Sequence, residues 1–536
     1  MKIKCLCIVF LMTSMFSFGQ AKDYMFGQLV DSVQNEPIPF ATIKIKNRSL
    51  GVISNIDGTF KIPLRYKALG EVVEISCLGY LSKEIPMADL FEGRSNIIIL
   101  EPGNLELNEA IVSANIKKLS AQQIVKIAVN SIPQNFPKDA FSLVGYYRDY
   151  QVKNKAYTNL NEAIVKVLDV GFERNNNFNN QYQLISYTKN SDFQVDTFAE
   201  QPYDYKRYNK VIPGAKMNND GGNELLTLSI HDAIRNYGVE SFSFVDDLSS
   251  DFIEKHRFRL RGKSNYEKES IYVIDMVFKN DNYRARGKIF VNTDDFAIHK
   301  LDYAVYKRKK PGVFSSAENP NERFTDGFKK TNGEMLYHIQ TEYTRGGNGK
   351  MFLNYISFYN KILVQRPAEF KSRFAINLED NSFRIRLNKI PANLDRIKSG
   401  NFKISYKNVS VPIKDVWFRE DERVFVVCPH TSYEATRELL KDLFLERKNL
   451  EVSEVKYAYS AIKDDAGNEL DKRKWEYMHQ YREFFTQETR FMQDEIGDTS
   501  DLMNKDQPLD SPLQPITDKD MKSEYWKNTP LPGLQN

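Results

Sequence analysis

The stretch GVISNIDGTFKIP, residues 51–63, decides how the N-terminal part of the chain folds. Asp57 and Gly58 lie between a short apolar run and a segment in which apolar and polar residues alternate. An Asp-Gly pair in this setting predicts a tight turn, because glycine adopts the positive φ that such turns require. The alternative is a calcium loop, which needs several oxygen ligands at alternating positions. Asn55 and Asp57 are present but no glutamate follows at the required distance, so we expect a turn between two strands.

Residues 24–103 contain many short runs of this alternating kind, separated by turn residues. In FATIKIKN, Ala41, Ile43 and Ile45 share one face of a strand, and polar residues occupy the other face. The runs are rich in β-branched residues and show no helical period. This pattern predicts a β-sandwich over residues 24–103.

The ordered set of runs resembles the carboxypeptidase-like regulatory domain. The resemblance covers residues 24–113 and rests on the segments GQLVD, NEPIPFATIKIKN, GVISNIDGTFKI, ISCLGY and NIIILEP. Residues 105–114, LELNEAIVSA, also resemble the segment that follows this domain in TonB-dependent transporters. The resemblance implies a transthyretin-like sandwich in the envelope of a Gram-negative bacterium. It implies no catalytic residue, because the domain of that family is itself non-catalytic.

Composition and the first residues indicate an exported protein. The chain has 536 residues and a net charge of +4 from 75 basic and 71 acidic residues, without a concentrated basic block. Nucleic acid is therefore not an expected partner. Residues 1–21 carry two lysines, an apolar run and then small and polar residues, which predicts a signal peptide. No later run is long enough for a transmembrane helix. We expect a periplasmic or outer-membrane-associated protein.

Only two cysteines remain beyond the predicted signal peptide, Cys77 and Cys428. Both lie in apolar segments typical of buried strands, where a free cysteine behaves as a small apolar residue. A disulfide between them stays open in an oxidising compartment.

The middle of the chain is predicted to be mainly β. Residues 104–138 are expected to form a linker and a helix that begins after Ser120. Residues 139–430 contain long alternating runs with short turns, which predict a large antiparallel meander with a helical insert near residues 224–237. The pattern is similar to that of the curved sheets of lipoprotein-carrier proteins, and this similarity implies a concave face that holds lipid.

The C-terminal part is predicted to be helical over residues 431–496. Leu439, Leu440, Leu443 and Phe444 recur at helical spacing, and a second set recurs between Trp475 and Met492. Residues 497–536 form a polar, proline-bearing tail that we expect to be weakly ordered, although its SEYWKNTPLP segment is a candidate for docking.

Known catalytic motifs are missing from the sequence. The six histidines form neither H-E-x-x-H nor H-x-x-E, the spacings of a metallocarboxypeptidase zinc site: His231, His256, His299, His338, His430 and His479. His338 and Glu342 are expected on one strand, too far apart to share a metal. His479 and Glu483 are expected to form an exposed pair on a helix. Cys428 lies two residues before His430, a spacing that favours a strand followed by a loop over a catalytic pair.

Aromatic residues are the remaining candidates for a ligand site. They cluster on early and late strands of the predicted meander, and core packing is the favoured interpretation over a cavity lining: Tyr146, Tyr147, Tyr150, Tyr157, Tyr355, Phe358 and Tyr359.

The sequence thus predicts no catalytic, cofactor-binding or metal-ligating residue. We expect a non-catalytic exported envelope protein with a binding or assembly role. Its N-terminal sandwich would be the interaction module, and its β-rich region would hold a lipid, a glycan or a protein partner. Two alternatives stay open: an outer-membrane component related to TonB-dependent transporters, and a hydrolase whose site the sequence does not reveal.

Overall fold

A computed structural model describes thirteen segments of the chain: residues 24–48, 50–103, 119–173, 179–190, 193–203, 209–213, 222–237, 252–266, 269–308, 333–445, 455–491, 499–517 and 525–528. The predicted signal peptide and residues 104–118 lie outside these segments. None of the helices in the described segments has an apolar run long enough to cross a membrane.

The N-terminal part folds into two small sheets around one core. Its elements are β1 (Tyr24–Asp31), β2 (Thr42–Ile45), β3 (Gly51–Ile53), β4 (Thr59–Pro63), α1 (Arg65–Ala68), β5 (Val72–Ser76), β6 (Lys83–Pro86) and β7 (Ser95–Leu100). One sheet has the order β4-β1-β7, with β1 and β7 parallel, and the other has the order β3-β2-β5-β6. Inward-facing residues such as Leu29, Ile43 and Ile75 are fully buried between the sheets. We refer to this part as the sandwich.

The predicted turn at Asp57-Gly58 is confirmed. Gly58 has φ of +75°, and its N–H donates to the carbonyl of Asn55 at 2.8 Å. A Cβ at Gly58 would lie 2.5 Å from the carbonyl oxygen of Leu29, so the position requires glycine. The two flanking strands, however, belong to different sheets, since β3 pairs with β2 and β4 pairs with β1. The turn therefore joins the two layers of the sandwich and does not close a hairpin.

A large antiparallel sheet follows the sandwich. Its elements and the helices around it are α2 (Ala121–Asn130), α3 (Ile132–Asn135), β8 (Phe141–Lys153), β9 (Ala156–Asp169), β10 (Gln181–Lys189), α4 (Thr197–Glu200), β11 (Lys210–Val211), α5 (Glu224–Ile230), α6 (Phe252–Lys255), β12 (Arg257–Tyr266), β13 (Glu269–Lys279), β14 (Tyr283–Asn292), β15 (Ile298–Arg308), β16 (Gly333–Arg345), β17 (Met351–Arg366) and β25 (Lys474–Phe491). The strand order is β10-β9-β8-β25-β17-β16-β15-β14-β13-β12, and β11 pairs with β17. The predicted meander is confirmed in its antiparallel character.

The prediction of a second C-terminal helix is wrong, because residues 474–491 form the central strand β25. This strand pairs with β8 over twelve residue pairs from His479–Val152 to Phe491–Phe141. Arg482 and Phe484 face one side of the sheet, and Glu483 and Phe485 face the other. Because aromatic residues occur on both faces of this doubly covered strand, their spacing also matches a helical period. Pairing within the sheet overrides that local pattern.

Two of the predicted helices, α2 and α5, are present in the structure. Ser120 caps α2, with its Oγ accepting from the N–H of Gln123 and the Gln123 side chain accepting from the Ser120 N–H. The predicted insert near residues 224–237 forms α5, followed by turns.

Residues Val364–Glu476 form a separate compact unit. Its elements are β18 (Ser372–Asn377), β19 (Ser382–Leu387), β20 (Phe402–Tyr406), β21 (Val409–Ser410), β22 (Ile413–Arg419), β23 (Val424–Pro429), α7 (Glu434–Leu445) and β24 (Val455–Tyr459). The strands form one sheet of order β18-β19-β23-β22 and one of order β21-β20-β24. Helix α7 lies where a helix was predicted and buries Leu439, although Phe444 is exposed.

The sandwich covers one face of the large sheet. The rings of Phe40 and Tyr355 stack with centroids 6.2 Å apart, and Asn354 donates to the Thr42 hydroxyl at 3.0 Å. Arg148 of β8 is 1% exposed and donates to Asn55 and to Glu483. Apolar and polar contacts together fix the sandwich against this face.

The C-terminal segment Tyr525–Asn528 is held between the sandwich and the large sheet, as the prediction of docking anticipated. Trp526 is 1% exposed within the sandwich core, and its Nε1 donates to the carbonyl of Lys61 at 2.9 Å. Asn528 donates to the carbonyl of Ile53 at 2.7 Å, and its own carbonyl accepts from Arg148 at 2.8 Å. Residues 499–517 also contact the large sheet, as in the bond from the Met503 N–H to Tyr182.

Candidate functional site

A cavity lies on the face of the large sheet opposite the sandwich, beneath α5. Its volume is about 540 Å³, including the space at its open mouth. Its walls are mainly apolar and aromatic: Phe141, Leu143, Val167, Phe172, Leu225, Leu228, Leu353, Ile356 and Phe484. Polar groups line the remainder: Asp169, Asn180, Tyr182, Ser229, Asp232, Arg235 and Tyr343.

Helix α5 forms one wall of the cavity and is anchored at its N-terminus. Asn223 caps the helix by accepting from the Leu226 N–H at 3.1 Å, and its side-chain amide donates to the carbonyl of Gln507 at 3.1 Å. Leu225, Leu228 and Ser229 follow at i, i+3 and i+4, so all three point to the sheet. The C-terminal segment therefore helps to position the wall of the cavity.

The polar part of the lining is built around a buried ion pair. Arg235 donates from Nε to Asp169 Oδ2 at 2.8 Å and from Nη2 to Asp169 Oδ1 at 2.7 Å. Asn180 donates to the same carboxylate at 2.7 Å. Both charges are thus compensated by bidentate geometry and by a further hydrogen bond, the arrangement that a buried ion pair needs to be tolerated.

A second carboxylate, Asp232, lines the same cavity. Its Oδ2 accepts from the Tyr343 hydroxyl at 2.6 Å, and its Oδ1 accepts from the N–H groups of Ile234 and Arg235 at 3.1 Å. Burial nevertheless raises the pKa of Asp232 to about 6. The Tyr182 hydroxyl is buried nearby, beside the hydroxyl of Ser229.

The lining also contains hydroxyl groups and a largely apolar wall. Ser229 is the hydroxyl of the lining closest in type to a nucleophile, and its Oγ donates to the carbonyl of Leu225 at 3.1 Å. Nucleophilic catalysis needs a base within hydrogen-bond reach of such a hydroxyl. The Tyr182 hydroxyl offers a polar contact to a ligand, while the remaining wall offers apolar contact.

A buried charge network lies on the same face of the sheet, next to α5. Glu224 pairs with both Lys210 and Arg482, and Arg482 also donates to Tyr203 and Asn360. Lys210 and Arg482 are completely buried. Burial opposes the ionisation of Glu224, but Arg482 and Lys210 outweigh it and hold the pKa of Glu224 below its usual range.

The pKa of Asp149 on β8 is shifted in the opposite direction from that of Glu224. Burial, followed by repulsion from Glu224, raises the pKa of Asp149 to about 7. The hydroxyl of Tyr147 and the amide of Asn161 donate to its two oxygens at 2.8 and 3.1 Å and only partly offset these effects. Above neutral pH Asp149 is therefore ionised in the folded protein, and this ionisation lowers the free energy of unfolding.

Asp149→Asn is expected to raise the free energy of unfolding at pH 8 by about 1–3 kcal/mol. The folded pKa of Asp149, about 7, lies above the value near 4 of an unfolded chain. Wild-type stability from this group is therefore complete below about pH 4 and falls as the pH rises to 7. Urea unfolding of both proteins at pH 4 and pH 8 measures this difference. A variant less stable than wild type at pH 8 would show that the ionised carboxylate stabilises the fold.

The aromatic residues singled out from the sequence mostly belong to the core. Tyr146, Tyr150, Tyr355 and Tyr359 lie on the sandwich side of the sheet, Tyr147 and Phe358 lie on the α5 side, and all six are less than 10% exposed. Tyr157 is half-buried and packs edge-on against Tyr150. None of these residues lines the cavity, in agreement with the interpretation of core packing.

The histidines likewise have structural partners. His231 stacks on Phe358 with ring centroids 4.6 Å apart, and its burial lowers its pKa to about 3. Burial also lowers the pKa values of His256 and His479 to about 4. Within the described segments, His, Cys, Asp and Glu form no cluster of three or more suited to a metal ion.

Two predictions about histidine pairs have different outcomes. The predicted separation of His338 and Glu342 on β16 is confirmed, since His338 pairs with Asp302 and Glu342 with Lys300. The predicted helical pair of His479 and Glu483 is wrong. Both residues lie on β25, where His479 bonds to Tyr359 and Glu483 pairs with Arg148.

The cysteine predictions also resolve. Cys77 and Cys428 are free thiols, so the disulfide is not formed. Cys428 is the next-to-last residue of β23, and His430 bonds to Ser432 at 2.8 Å in the loop that follows.

Sequence reasoning missed the charged residues of this face: Asp149, Asp169, Glu224, Asp232, Arg235 and Arg482. One signal was present in the sequence. Charged residues interrupt apolar runs in ELLTLSIHDAIRNY and in EYMHQYREFF, and a charge inside such a run is buried and paired if the run is buried. The partners themselves were not predictable, because Glu224 and Arg482 are 258 residues apart.

Solved structures show only distant similarity to the chain. A domain described as an outer membrane lipoprotein-sorting protein from Vibrio parahaemolyticus is 13% identical, covers 44% of this chain and 84% of its own, and has a TM-score of 0.22. A DUF1329 family protein from Desulfovibrio piger is 9% identical, with 45% and 86% coverage and a TM-score of 0.17. MucB in complex with MucA is 10% identical, with 57% and 91% coverage and a TM-score of 0.15. These TM-scores assign no fold to the large sheet.

The sequence comparisons are informative only for the N-terminal part. Among curated proteins nothing matches the chain. Residues 25–112 match the family model of the CarboxypepD_reg-like domain. The sandwich of this chain is a carboxypeptidase regulatory-like domain.

Proposed function

We propose that this chain is a non-catalytic, exported cell-envelope protein that binds a small amphipathic ligand in the cavity beneath α5. This ligand has an apolar body and a polar group. The sandwich of the protein serves as the module that contacts other envelope components, in the periplasm or at the outer membrane. Binding, and not turnover, is the role that the lining of the cavity supports.

The observation that carries this proposal is the distribution of polarity inside the cavity. Nine apolar or aromatic side chains form most of the wall, while the polar groups include a saturated ion pair and the neighbouring hydroxyls of Tyr182 and Ser229. Ligand sites generally combine apolar walls with a few placed polar groups that fix orientation.

The two faces of the large sheet have different roles in this account. The sandwich and the segment Tyr525–Asn528 occupy one face, so that face is not open to a ligand. The α5 face retains the cavity. The proposed ligand site is therefore the cavity beneath α5, and not the broad concave sheet surface that the similarity to lipoprotein carriers implied.

Surface exposure of the sandwich supports its role as an interaction module. Ile97 and Ile99 of β7 are 68% and 51% exposed on the outer face of their sheet, next to Phe26 of β1. Exposed apolar residues grouped on one face of a sheet are typical of a contact region.

Leu228→Trp is expected to abolish ligand binding, because the larger side chain fills the cavity. The measurement is displacement of a fluorescent fatty-acid analogue, added to the purified mature protein, with the dissociation constant rising at least tenfold in the variant. Ile230→Trp on the same helix is the matched control, since Ile230 is half-buried and does not line the cavity. Equal binding by wild type and Leu228→Trp would contradict the assignment of the ligand to this cavity.

The transporter-related and hydrolase alternatives remain predictions from the sequence. No contact in the described part of the cavity favours either of them over ligand binding.

A further inference from the structure

The outer face of the sheet β18-β19-β23-β22 carries an unusual arrangement of arginines. The strand registers place Arg373, Arg386, Val424 and Arg419 side by side in one row, and Ala375, Arg384, Val426 and Trp417 in the next. The opposite face of the same strands supplies the core of this unit. We call these two rows the arginine face.

Two of these arginines repel each other in the folded chain. Arg373 and Arg386 are directly opposite on neighbouring antiparallel strands, and both are exposed. Their guanidinium groups form no ion pair or hydrogen bond with the residues that the structure describes. Like charges in directly opposed positions destabilise a sheet. The Arg373–Arg386 pair therefore lowers the stability of this sheet, and no contact with the described residues offsets the repulsion.

Further donors extend this positive surface. Arg384 lies diagonally next to the pair, and its Nε is buried without an acceptor, although its terminal nitrogen pairs with Asp380. Arg419 pairs with Glu422 at 2.6 Å. Asp415 is the acidic residue of the following row, opposite Cys428. The uncompensated charge is therefore concentrated at Arg373 and Arg386.

An aromatic ring stands at the other end of the arginine face. Trp417 of the edge strand β22 is 48% exposed and lies opposite Val426, which is fully buried between Trp417 and Arg384. Strands in a sheet are about 4.8 Å apart, so β18 and β22 are separated by about 14 Å. A ligand that reaches both ends must be extended and carry several groups.

We propose that the arginine face binds an acidic polysaccharide. Arg373 and Arg386 hold a carboxylate or phosphate group of the chain, since guanidinium groups bind such anions in bidentate geometry. Trp417 stacks on another sugar ring of the same polysaccharide, about 14 Å from the bound anionic group. The length of the face and the separation of its charged and aromatic ends favour a polysaccharide over an anionic lipid surface or an acidic peptide. The face belongs to the Val364–Glu476 unit, so this inference does not depend on the cavity.

The test measures binding of polygalacturonate oligosaccharides to the full mature protein by isothermal titration calorimetry. The double variant Arg373→Gln/Arg386→Gln is expected to weaken binding at least tenfold, and Trp417→Ala to weaken it severalfold. Arg396→Gln is the matched control, because Arg396 is 83% exposed in the same unit and does not lie on the arginine face. Binding should fall as the salt concentration rises.

A stability measurement separates this role from a structural one. The double variant removes a like-charge pair, so its thermal midpoint is expected to stay the same or rise by about 1–2 °C while its binding is lost. Polyglutamate and vesicles of anionic phospholipid serve as probes of the two competing ligand classes, an acidic peptide and an anionic lipid surface. Failure to bind polygalacturonate would overturn the proposal. Equal binding to polyglutamate without a contribution from Trp417, or binding to vesicles alone, would also overturn it.

Discussion

Replacing Trp526 with alanine is expected to lower the free energy of unfolding by about 3–5 kcal/mol, the range for removing a large aromatic side chain from a core. Trp526 is 1% exposed and packs with Tyr66 in the core of the sandwich, 460 residues away in the sequence. The change also leaves the carbonyl of Lys61 without its indole donor. The loss would be measured by urea unfolding followed by far-UV circular dichroism.

The other two tryptophans of the chain are natural controls for this prediction. Trp417 and Trp475 are 48% and 42% exposed, so their replacement by alanine should change the free energy of unfolding by less than about 1 kcal/mol. If Trp526→Ala had an effect as small as these controls, the C-terminal segment would not contribute to the sandwich core. The contact between the two ends of the chain would then be incidental.

Glu224→Gln is expected to destabilise the large sheet by a similar amount, about 3–5 kcal/mol. The carboxylate is the shared partner of Lys210 and Arg482, which are both completely buried. An amide of the same size leaves two buried cations without a counter-charge, and this is far more costly than the loss of an exposed ion pair. Chemical denaturation at pH 7 measures the effect, with Glu254→Gln on the surface helix α6 as the control.

The pH dependence and a triple variant sharpen this second prediction. The pKa of Glu224 is lowered in the folded state, so its contribution is complete above the unfolded value near 4.5 and is lost as the pH falls below it. The difference between wild type and Glu224→Gln should therefore shrink in acid. Replacing Lys210, Glu224 and Arg482 together with methionine should cost less than Glu224→Gln alone, because no charge is then left unpaired. A triple variant less stable than the single one would contradict this account of the network.

The sandwich was predictable from the sequence because its determinants are local. Alternation along FATIKIKN and the glycine of the Asp57-Gly58 turn each specify a strand or a turn within a few residues. The pairing of the strands was less accessible. Since β3 and β4 join different sheets, the turn between them is a connection across the core, and nothing in residues 51–63 distinguishes this from a hairpin.

Residues 474–491 show where local patterns fail. Their aromatic residues match a helical period, yet β8 and β17 flank them in the centre of a sheet covered on both faces. The cavity was inaccessible for a related reason. Its walls come from α5 and from several strands that include β8, β9, β17 and β25, and only the packing of these distant elements brings Phe141, Leu228 and Phe484 together.

Native mass spectrometry of the mature protein, purified gently from envelope fractions, tests the proposed binding function most directly. The account predicts a bound amphipathic molecule that denaturation releases and identifies, and that is lost in Leu228→Trp but retained in Ile230→Trp. A ligand-free wild-type protein that also fails to take up a fatty-acid analogue would contradict it. So would a ligand that both variants retain equally.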